Sequence, residues 1–510
     1  MTEVVTPEWV RDAIFYQIFP DRFAQSAAIA KPSNLEPWDG PPSIRGFKGG
    51  DLLGVVEHLD YLQDLGITAL YLCPIFQSSA NHRYHTQDYY RVDPLLGGDP
   101  ALRRLLDAAH ARGMHVILDG VFNHTGRGFF QFNHILENRS KSPYLDWFHV
   151  YGWPVYPYTA ATGETELSNP PANYEGWAGL RELPKLNTNT PGVRQFLWDV
   201  AQYWIDFGAD GWRLDVPEDI NDDPFWQEFR RRVKGANPQA YIVGEIWHEA
   251  RRWLQGDQFD AVMNYLFLRG AACFMGQNTL VPGVRNLQHH WTLEPMGGHA
   301  LAEWTEGVLR LYPQAVNEVQ LNLLDSHDTP RFLTMVGGDE KALRLAILYQ
   351  MTYPGAPSIY YGDEIGIGAA PLPQPWDNST DPSCRPGMIW DEARWNTGLR
   401  AYVKRAIALR KAYPVLRRGT YRTLGGDATL YAYMRQSADD TLLVVLNAGM
   451  QDRTVQLPLP AEAHEGQTWV DLWGGNGPTH VVGGLLRDLH LPAQSGAVLQ
   501  AAPTSEGYGG

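Results

Sequence analysis

The sequence predicts an α/β protein: a (β/α)8 TIM barrel with a subdomain inserted after its third strand and an antiparallel β-sandwich at its C-terminal end. Three observations support this fold. Four short apolar runs each end in a carboxylate, and if these runs are neighbouring parallel strands, their acids meet at one rim of the barrel. Helix caps, helices, glycines and strands repeat in that order over the first 400 residues. Short strands separated by Gly, Asn and Asp follow.

The first helix–strand unit begins at Asp51, which can cap a helix with an apolar stripe. It ends at Gly66, before a strand at 68–73. Two more units repeat this order and are bounded by Asp99 and Gly113, and then by Thr190 and Gly208. The eight predicted barrel strands are 13–19, 68–73, 115–119, 210–215, 241–245, 259–263, 320–324 and 356–361.

The stretch from Thr125 to about Leu186 is polar, aromatic and rich in Gly and Pro, and it is longer than a barrel connection needs. We therefore expect an inserted subdomain there. Short strands predicted at 429–434, 441–446 and 454–457 form the sandwich. The predicted division is a first barrel segment at 1–123, the inserted subdomain B at 124–186, a second barrel segment at 187–415 and the C-terminal domain at 416–510.

Composition narrows the class of protein. The 510 residues are 44% hydrophobic and carry a formal net charge of −15, which argues against a nucleic acid or an anionic membrane as partner. Three scattered cysteines are too few for a disulfide framework or a zinc site. No signal peptide is visible at the N-terminus, and no apolar stretch approaches 18 residues. These features predict a cytoplasmic protein with no membrane partner.

Two of the strand-end carboxylates, Asp215 and Glu245, are 30 residues apart, about one βα unit. They should end adjacent strands about 4.8 Å apart, which suits the roughly 5–5.5 Å between the two carboxyl groups of a retaining glycosidase. Arg213, two residues before Asp215, should point to the same face and keep Asp215 ionised. Asp215 is then the candidate nucleophile and Glu245 the candidate acid/base.

Other side chains should gather at this rim. Asp328 brings a third carboxylate, which can hold sugar hydroxyls and distort the ring. Trp247 can stack on a sugar of the leaving group. The remaining candidates for substrate binding are polar or aromatic residues near the strand ends: His82, Tyr84, Asp119, His124 and His327. Any one of these acids could be an ordinary helix cap or surface pair, but together they indicate a site for carbohydrate.

Four motifs then resemble the signature regions of the α-amylase superfamily, glycoside hydrolase family 13. They are Asp-Gly-Val-Phe-Asn-His at 119–124, Gly-Trp-Arg-Leu-Asp at 211–215, Gly-Glu-Ile-Trp at 244–247 and Ser-His-Asp at 326–328. The resemblance covers nearly the whole chain, from 15–23 to the C-terminal strands. It implies a retaining mechanism on α-glucosidic bonds, with Asp215 as nucleophile, Glu245 as acid/base and Asp328 as stabiliser of the transition state.

Leu-Pro-Lys-Leu-Asn at 183–187 resembles a segment of the neopullulanases, cyclomaltodextrinases and maltogenic amylases, and segments 244–248, 256–265, 361–365 and 381–388 are similar to that group as well. Members of the group usually carry an extra N-terminal β domain that reaches the partner's active site in a dimer. Here residues 9–15 already lead into the first strand, so we expect that domain to be missing. The chain could then be a monomer or a homodimer, with a more open cleft.

Two further departures concern binding. Val-Pro-Glu-Asp at 216–219 replaces the Ala-Asn-Glu of the relatives, which predicts altered binding on the leaving side and a changed balance of hydrolysis against transglycosylation. The loop 24–34 lacks the Asn/Asp-rich calcium loop of many relatives. Asp51 and Asn123 remain as candidate calcium ligands, but we predict no required cofactor and assign no metal site.

The expected activity is hydrolysis of α-1,4-glucosidic bonds in maltooligosaccharides, cyclodextrins, pullulan or starch. An alternative on the same scaffold is an α-glucan glucosyltransferase or isomerase, resembling amylosucrase or trehalose synthase. A non-catalytic partner, like the barrel-bearing heavy chains of amino-acid transporters, would carry a membrane helix and lack the catalytic acids. Product analysis separates hydrolysis from transfer, because a transferase leaves little free reducing sugar.

Overall fold

A computed structural model describes residues 4–158, 172–282, 284–286, 291–368, 382–460 and 466–502. Residues 159–171 of the predicted insert therefore lie outside the described residues, as do 461–465 and 503–510 of the predicted C-terminal domain. No helix in the described ranges is long and apolar enough to cross a membrane.

All eight predicted barrel strands are present, and each lies within its predicted range or differs from it by one residue. They are β1 Phe15–Ile18, β2 Ala69–Leu72, β3 His115–Gly120, β4 Gly211–Leu214, β5 Tyr241–Gly244, β6 Ala261–Val262, β7 Leu321–Leu323 and β8 Ala356–Tyr360. Neighbouring strands pair in parallel in the order β7-β8-β1-β2-β3-β4-β5-β6. A parallel bridge between Met263 and Leu321 connects the two ends of this order and closes the barrel.

Helices connect the strands. The helices of at least six residues are Leu52–Glu57, Leu59–Leu65, Gly98–His110, Phe130–Asn138, Pro191–Asp206, Asp223–Ala236, Tyr265–Met275, Gly298–Arg310, Glu340–Thr352 and Thr397–Ala412. Shorter helices span Glu8–Asp12, Pro20–Phe23, Gln314–Asn317, Phe332–Met335 and Val415–Arg418. Their apolar faces and the barrel strands form one continuous hydrophobic core.

Two predicted helix starts need comment. Asp51 caps its helix as predicted, accepting the Gly54 N–H at 2.7 Å, but the helix breaks at His58. The His58 ring nitrogen Nδ1 lies 2.8 Å from the Gly54 carbonyl, where it competes with the helical hydrogen bonds. Asp99 is not a cap: Gly98 begins that helix, and the Asp99 carboxylate accepts the Val92 N–H instead. Asp99 thereby joins the helix to the preceding strand.

The segment between β3 and the helix Pro191–Asp206 forms an irregular ladder of antiparallel contacts rather than a regular sheet. Isolated bridges join His124 with Lys185, Phe148 with Leu186, Val150 with Tyr174, and Gly176 with Pro184. Because the ladder starts four residues after β3 ends, it lies beside the C-terminal rim of the barrel. Two short antiparallel pairs complete the barrel loops: Phe76–Ser78 with Thr86–Val92, and Arg285–Asn286 with Trp291–Thr292.

The C-terminal part is antiparallel, as predicted. Its strands are β9 Thr420–Gly426, β10 Leu430–Gln436, β11 Thr441–Asn447, β12 Arg453–Pro458, β13 Thr468–Asp471, β14 Thr479–Val482, β15 Leu485–Leu491 and β16 Ser495–Ala501. They hydrogen-bond in the order β9-β10-β11-β16-β13-β14-β15-β12. Apolar side chains from both halves of this order share a second core, as in a sandwich.

Candidate active site

The barrel brings the predicted carboxylates together at one rim. Asp119 lies in β3, Asp215 directly follows β4, and Glu245 directly follows β5. The parallel register pairs Asp119 with Arg213, and the Glu245 N–H donates to the Leu214 carbonyl at 2.9 Å. The two carboxylates predicted to end adjacent strands therefore do so. Asp119, Asp215 and Glu245 are all buried.

One guanidinium group joins these three acids. Arg213 Nη1 donates to Asp119 at 2.9 Å and to Asp215 at 3.1 Å, while Nη2 forms an ion pair with Glu245 at 2.7 Å. The Arg213 side chain is completely buried. Because Asp215 and Glu245 contact two nitrogens of the same planar group, their carboxyl groups are held close together and in a fixed relation.

Asp215 and Glu245 share an unusual electrostatic environment. Burial raises the pKa of Asp215 well above its ordinary value and also raises the pKa of Glu245. Arg213 opposes both shifts and Asp328 adds to both, while Glu245 and Asp119 add to the shift of Asp215. Burial therefore outweighs the effect of Arg213 on the pKa of Asp215, in contrast to the expectation that Arg213 keeps this carboxyl ionised. A pair of carboxyl groups in this setting titrates as a unit and retains one proton at a pH where isolated carboxyls have lost theirs. One ionised and one protonated carboxyl is the combination that glycoside hydrolysis uses.

The two acids differ in their hydrogen bonds. Glu245 accepts the backbone N–H of Val216 at 3.1 Å and the indole N–H of Trp247 at 3.2 Å. Val216 reaches this position in a left-handed conformation (φ 36°, ψ 52°) that is strained for a β-branched residue. Asp215 has its Oδ2 atom buried with no hydrogen-bond partner among the described residues, and His124 Nε2 lies 3.8 Å from it.

Asp328 is held as an anion by two cations. His327 Nε2 lies 2.8 Å from one carboxylate oxygen, and Arg385 Nη2 donates to the other at 3.0 Å. Burial alone would favour a neutral imidazole, but the Asp328 carboxylate raises the pKa of His327 to about 10. In turn, burial opposes ionisation of Asp328, but His327 and Arg385 lower its pKa well below the ordinary range. A fixed negative charge therefore faces the same site.

The remaining predicted residues line this site. The Tyr84 hydroxyl donates to Asp119 at 2.9 Å, and its ring lies parallel to the His327 ring with centroids 5.4 Å apart. His82 stacks on Tyr84, and burial lowers its pKa well below the ordinary value. His124 is neutral as well, because burial lowers its pKa to about 3. These rings offer neutral hydrogen-bonding groups and flat faces.

Trp247 packs against a second aromatic ring at the rim. Its ring stacks on Tyr265, with centroids 3.6 Å apart and planes at 10°. The indole N–H at the same time points to Glu245, so the stack fixes a donor against this acid. Tyr265 begins the helix after β6 and is buried. Trp247 therefore has a second role beside the stacking surface predicted for it.

Four residues of the site were missed in the sequence. Tyr71 donates its hydroxyl to Asp119 at 2.8 Å, Trp177 of the insert stacks on His124 with centroids 5.2 Å apart, and Arg385 and Tyr265 make the contacts given above. Tyr71 carried a signal, because it lies on β2 at a position that the strand period directs into the barrel. Arg385 lies outside the strands, and its signal in the sequence was its position in segment 381–388, which is similar to the neopullulanase group.

The two candidate calcium ligands, Asp51 and Asn123, have different surroundings. The Asp51 carboxylate accepts the Ser26 N–H at 2.8 Å, the Gly54 N–H at 2.7 Å and the Lys31 ammonium group at 2.6 Å. Because donors occupy both oxygens, this carboxylate does not fit a calcium ligand. Asn123 follows β3, and its buried Oδ1 atom has no hydrogen bond from the part of the chain that the structure describes. The described ranges contain no group of three or more His, Cys, Asp or Glu side chains arranged to hold a metal ion.

Comparison with known proteins agrees with this geometry. The family described as "Alpha amylase, catalytic domain" matches residues 17–419, and "Maltogenic Amylase, C-terminal domain" matches 423–497. Neopullulanase 2 of Thermoactinomyces vulgaris is 45% identical over 475 residues, and a cyclomaltodextrinase of Geobacillus thermopakistaniensis is 42% identical over 473. Each alignment covers 92% of this chain and 74% of the relative.

A solved structure matches over the full length of its chain. Ttha1563 from Thermus thermophilus superposes with a TM-score of 0.89 at 47% identity, covering 97% of this chain and 100% of that one. The barrel, the C-terminal strands and both family matches agree with the resemblance read from the four motifs. The chain belongs to the α-amylase family of glycosidases, glycoside hydrolase family 13, and carries a maltogenic-amylase C-terminal domain.

Proposed function

We propose that this chain is a retaining α-glucan hydrolase that cleaves α-1,4-glucosidic bonds, with Asp215 as nucleophile and Glu245 as acid/base. One observation carries the proposal: Asp215 and Glu245 end adjacent strands and contact the same guanidinium group. Two carboxyl groups held at close range, one charged and one protonated, support attack on an anomeric carbon and protonation of the leaving oxygen.

The reaction has two balanced steps in this proposal. Glu245 gives its proton to the glycosidic oxygen while a carboxylate oxygen of Asp215 bonds to the anomeric carbon, so the leaving sugar departs with a new hydroxyl group. In the second step the Glu245 carboxylate takes a proton from water. The water oxygen forms the new bond to the anomeric carbon and releases Asp215 as a carboxylate.

The surrounding charges support these roles. The fixed negative charge of Asp328, paired with His327 and Arg385, faces the positive charge that develops on the sugar ring. Arg213 remains charged throughout and keeps the two reacting acids in place.

The substrates proposed are maltooligosaccharides, cyclodextrins, pullulan and starch. The names of the two curated relatives, a neopullulanase and a cyclomaltodextrinase, support pullulan and cyclodextrins. Comparing initial rates on γ-cyclodextrin, pullulan, starch and maltotriose ranks these substrates. Similar rates on starch and cyclodextrin would indicate an open cleft.

The roles are tested with two variants. Asp215→Ala and Glu245→Gln should each abolish hydrolysis while the circular dichroism spectrum remains that of the folded wild type. Proton NMR of the first product formed by the wild type should show the α-anomer. Activity above a few per cent in Asp215→Ala, or a β-anomeric first product, would contradict the proposal. Little free reducing sugar would instead favour the transferase or isomerase alternative.

A further inference from the structure

The insert carries an unusual concentration of exposed aromatic rings. Tyr151, Trp153, Tyr156 and Tyr158, which we call the aromatic strip, lie within eight residues and are 37–68% exposed. In the rest of the described chain, the other aromatic residues of comparable exposure are Phe130 and Tyr203. Clustered exposed aromatic surface costs free energy in water, so such clusters commonly mark a binding surface.

The backbone under the strip is held in place. The Asn173 side chain accepts the Tyr156 N–H at 2.9 Å and donates to the Gly152 carbonyl at 2.9 Å. The Tyr151 N–H donates to the Asn173 carbonyl at 2.7 Å. On the other side, Arg127 donates to the carbonyl of Pro157 at 2.7 Å. The rings are therefore presented by an ordered backbone, and a ligand that stacks on them would lose little entropy in ordering the loop.

The strip is connected to the catalytic rim through the insert ladder. His124, beside Asp215, bridges Lys185, and the Lys185 N–H donates to the Glu175 carbonyl at 2.9 Å. The Glu175 N–H donates to the carbonyl of His149 at 2.9 Å, two residues before the strip. Three strand spacings of about 4.8 Å put the start of the strip roughly 15 Å from His124.

The other end of the strip is tied to the same rim. The guanidinium group of Arg127 lies 4.1 Å from the centroid of the Tyr158 ring. Arg127 is three residues from His124, a span of at most about 10 Å. Both ends of the strip are thus within one oligosaccharide length of the catalytic acids, on the insert that borders the cleft.

We propose that the aromatic strip is a second carbohydrate site, which binds an α-glucan chain outside the catalytic cleft. Aromatic faces stack on the apolar faces of sugar rings, while the Tyr hydroxyls and the indole N–H can bond sugar hydroxyls at the rims. Two charged side chains of opposite sign contact the strip, Arg127 on the Tyr158 ring and Glu175 at the Tyr151 hydroxyl, so their charges offset each other, which suits a neutral polymer. The inference rests on the proposed function, because a site next to the cleft gains from a long substrate that spans both.

The test compares a long and a short substrate. The double variant Trp153→Ala/Tyr158→Ala removes two rings of the strip. Phe130→Ala is the matched control, because Phe130 is an insert residue outside the strip and is 62% exposed, against 63% for Tyr158. We expect kcat/KM on soluble starch to fall at least about tenfold in the double variant, because tenfold corresponds to about 1.4 kcal/mol and the variant loses two stacking rings. On maltotriose it should stay within twofold of the wild type, and the control should match the wild type on both substrates.

Equal losses on both substrates, or no loss on starch, would overturn the second site while leaving the hydrolase assignment intact. If the wild type hydrolyses neither substrate, the proposed function has failed, and calorimetric titration with maltoheptaose decides the strip. Binding by the wild type that is lost in the double variant then supports the site, and equal or absent binding refutes it. A dimer in sedimentation that dissociates only in the double variant would assign the strip to contact between two copies, which also overturns the proposal.

Discussion

Replacing Arg213 by Met tests the electrostatic centre of the site. The guanidinium group is completely buried and contacts three buried carboxylates at 2.7–3.1 Å. At an effective dielectric constant of 20, a pair of unit charges 4 Å apart is worth about 4 kcal/mol. The Coulomb attraction of three such pairs is offset by the cost of removing every charge from water, so their sum does not give the net stability. The stability lost when Arg213 is removed can be measured instead. Removing one partner of a buried ion pair costs about 3–5 kcal/mol.

The cost should depend on pH in a defined direction. Without Arg213, the pKa values of Asp215 and Glu245 rise further above those of the unfolded chain. The folded variant then binds more protons than the unfolded one, so its stability falls as the pH increases through the folded pKa values. The difference in unfolding free energy between wild type and variant should therefore be largest at pH 8 and smaller at pH 5. The Arg213→Lys variant keeps the charge without the planar fork and should lose less.

Urea unfolding followed by fluorescence at pH 5 and pH 8 measures the unfolding free energy that the variant loses and how this loss changes with pH. Stability of a folded domain is typically about 5–15 kcal/mol, so the variant is expected to fold but with a large shift in its midpoint. A loss below about 1 kcal/mol, or a loss equal at both pH values, would refute the reasoning that Arg213 neutralises the buried acids.

Three further predictions concern neighbouring residues. Trp247→Phe keeps an aromatic ring but loses the N–H that donates to the Glu245 carboxylate, so the pKa of Glu245 should rise. The alkaline limb of the pH–rate profile should then move to higher pH, and a shift to lower pH would contradict this prediction. His327→Gln removes a charge whose pKa is raised to about 10. That charge stabilises the fold fully below pH about 6.5 and less as the pH rises towards 10, so the difference between wild type and variant in urea unfolding should shrink from pH 6 to pH 10. Trp177→Phe loses the exposed hydrogen bond of 2.6 Å from the indole N–H to the Asp219 carboxylate, so KM on starch should rise a few-fold with kcat unchanged. A fall in kcat would count against a binding role for Trp177.

Much of the barrel could be predicted because the residues that begin and end its helices and strands act locally. Each apolar run is bounded by a glycine, a cap or a carboxylate, and these residues restrict the backbone within a few positions. The meeting of Asp119, Asp215 and Glu245 then followed from topology, since parallel strands in register bring their ends to one rim. The placement of Arg213 followed from the two-residue period of a strand.

Other features depend on contacts that no local pattern encodes. The helix break at His58 goes with a bond to the Gly54 carbonyl and a ring contact with Trp390, which lies far along the chain. Arg385 binds Asp328 across 57 residues. Such partners meet only after the barrel has closed, so the residue types alone did not indicate them.

Covalent trapping tests the central claim most directly. Because α-maltosyl fluoride carries a leaving group that needs no protonation, it should glycosylate the Glu245→Gln variant, in which no base remains to activate water. Peptide mass spectrometry should then find a maltosyl adduct on Asp215. An adduct on Asp328 or another carboxylate, or turnover to the β-anomer without any adduct, would contradict the account.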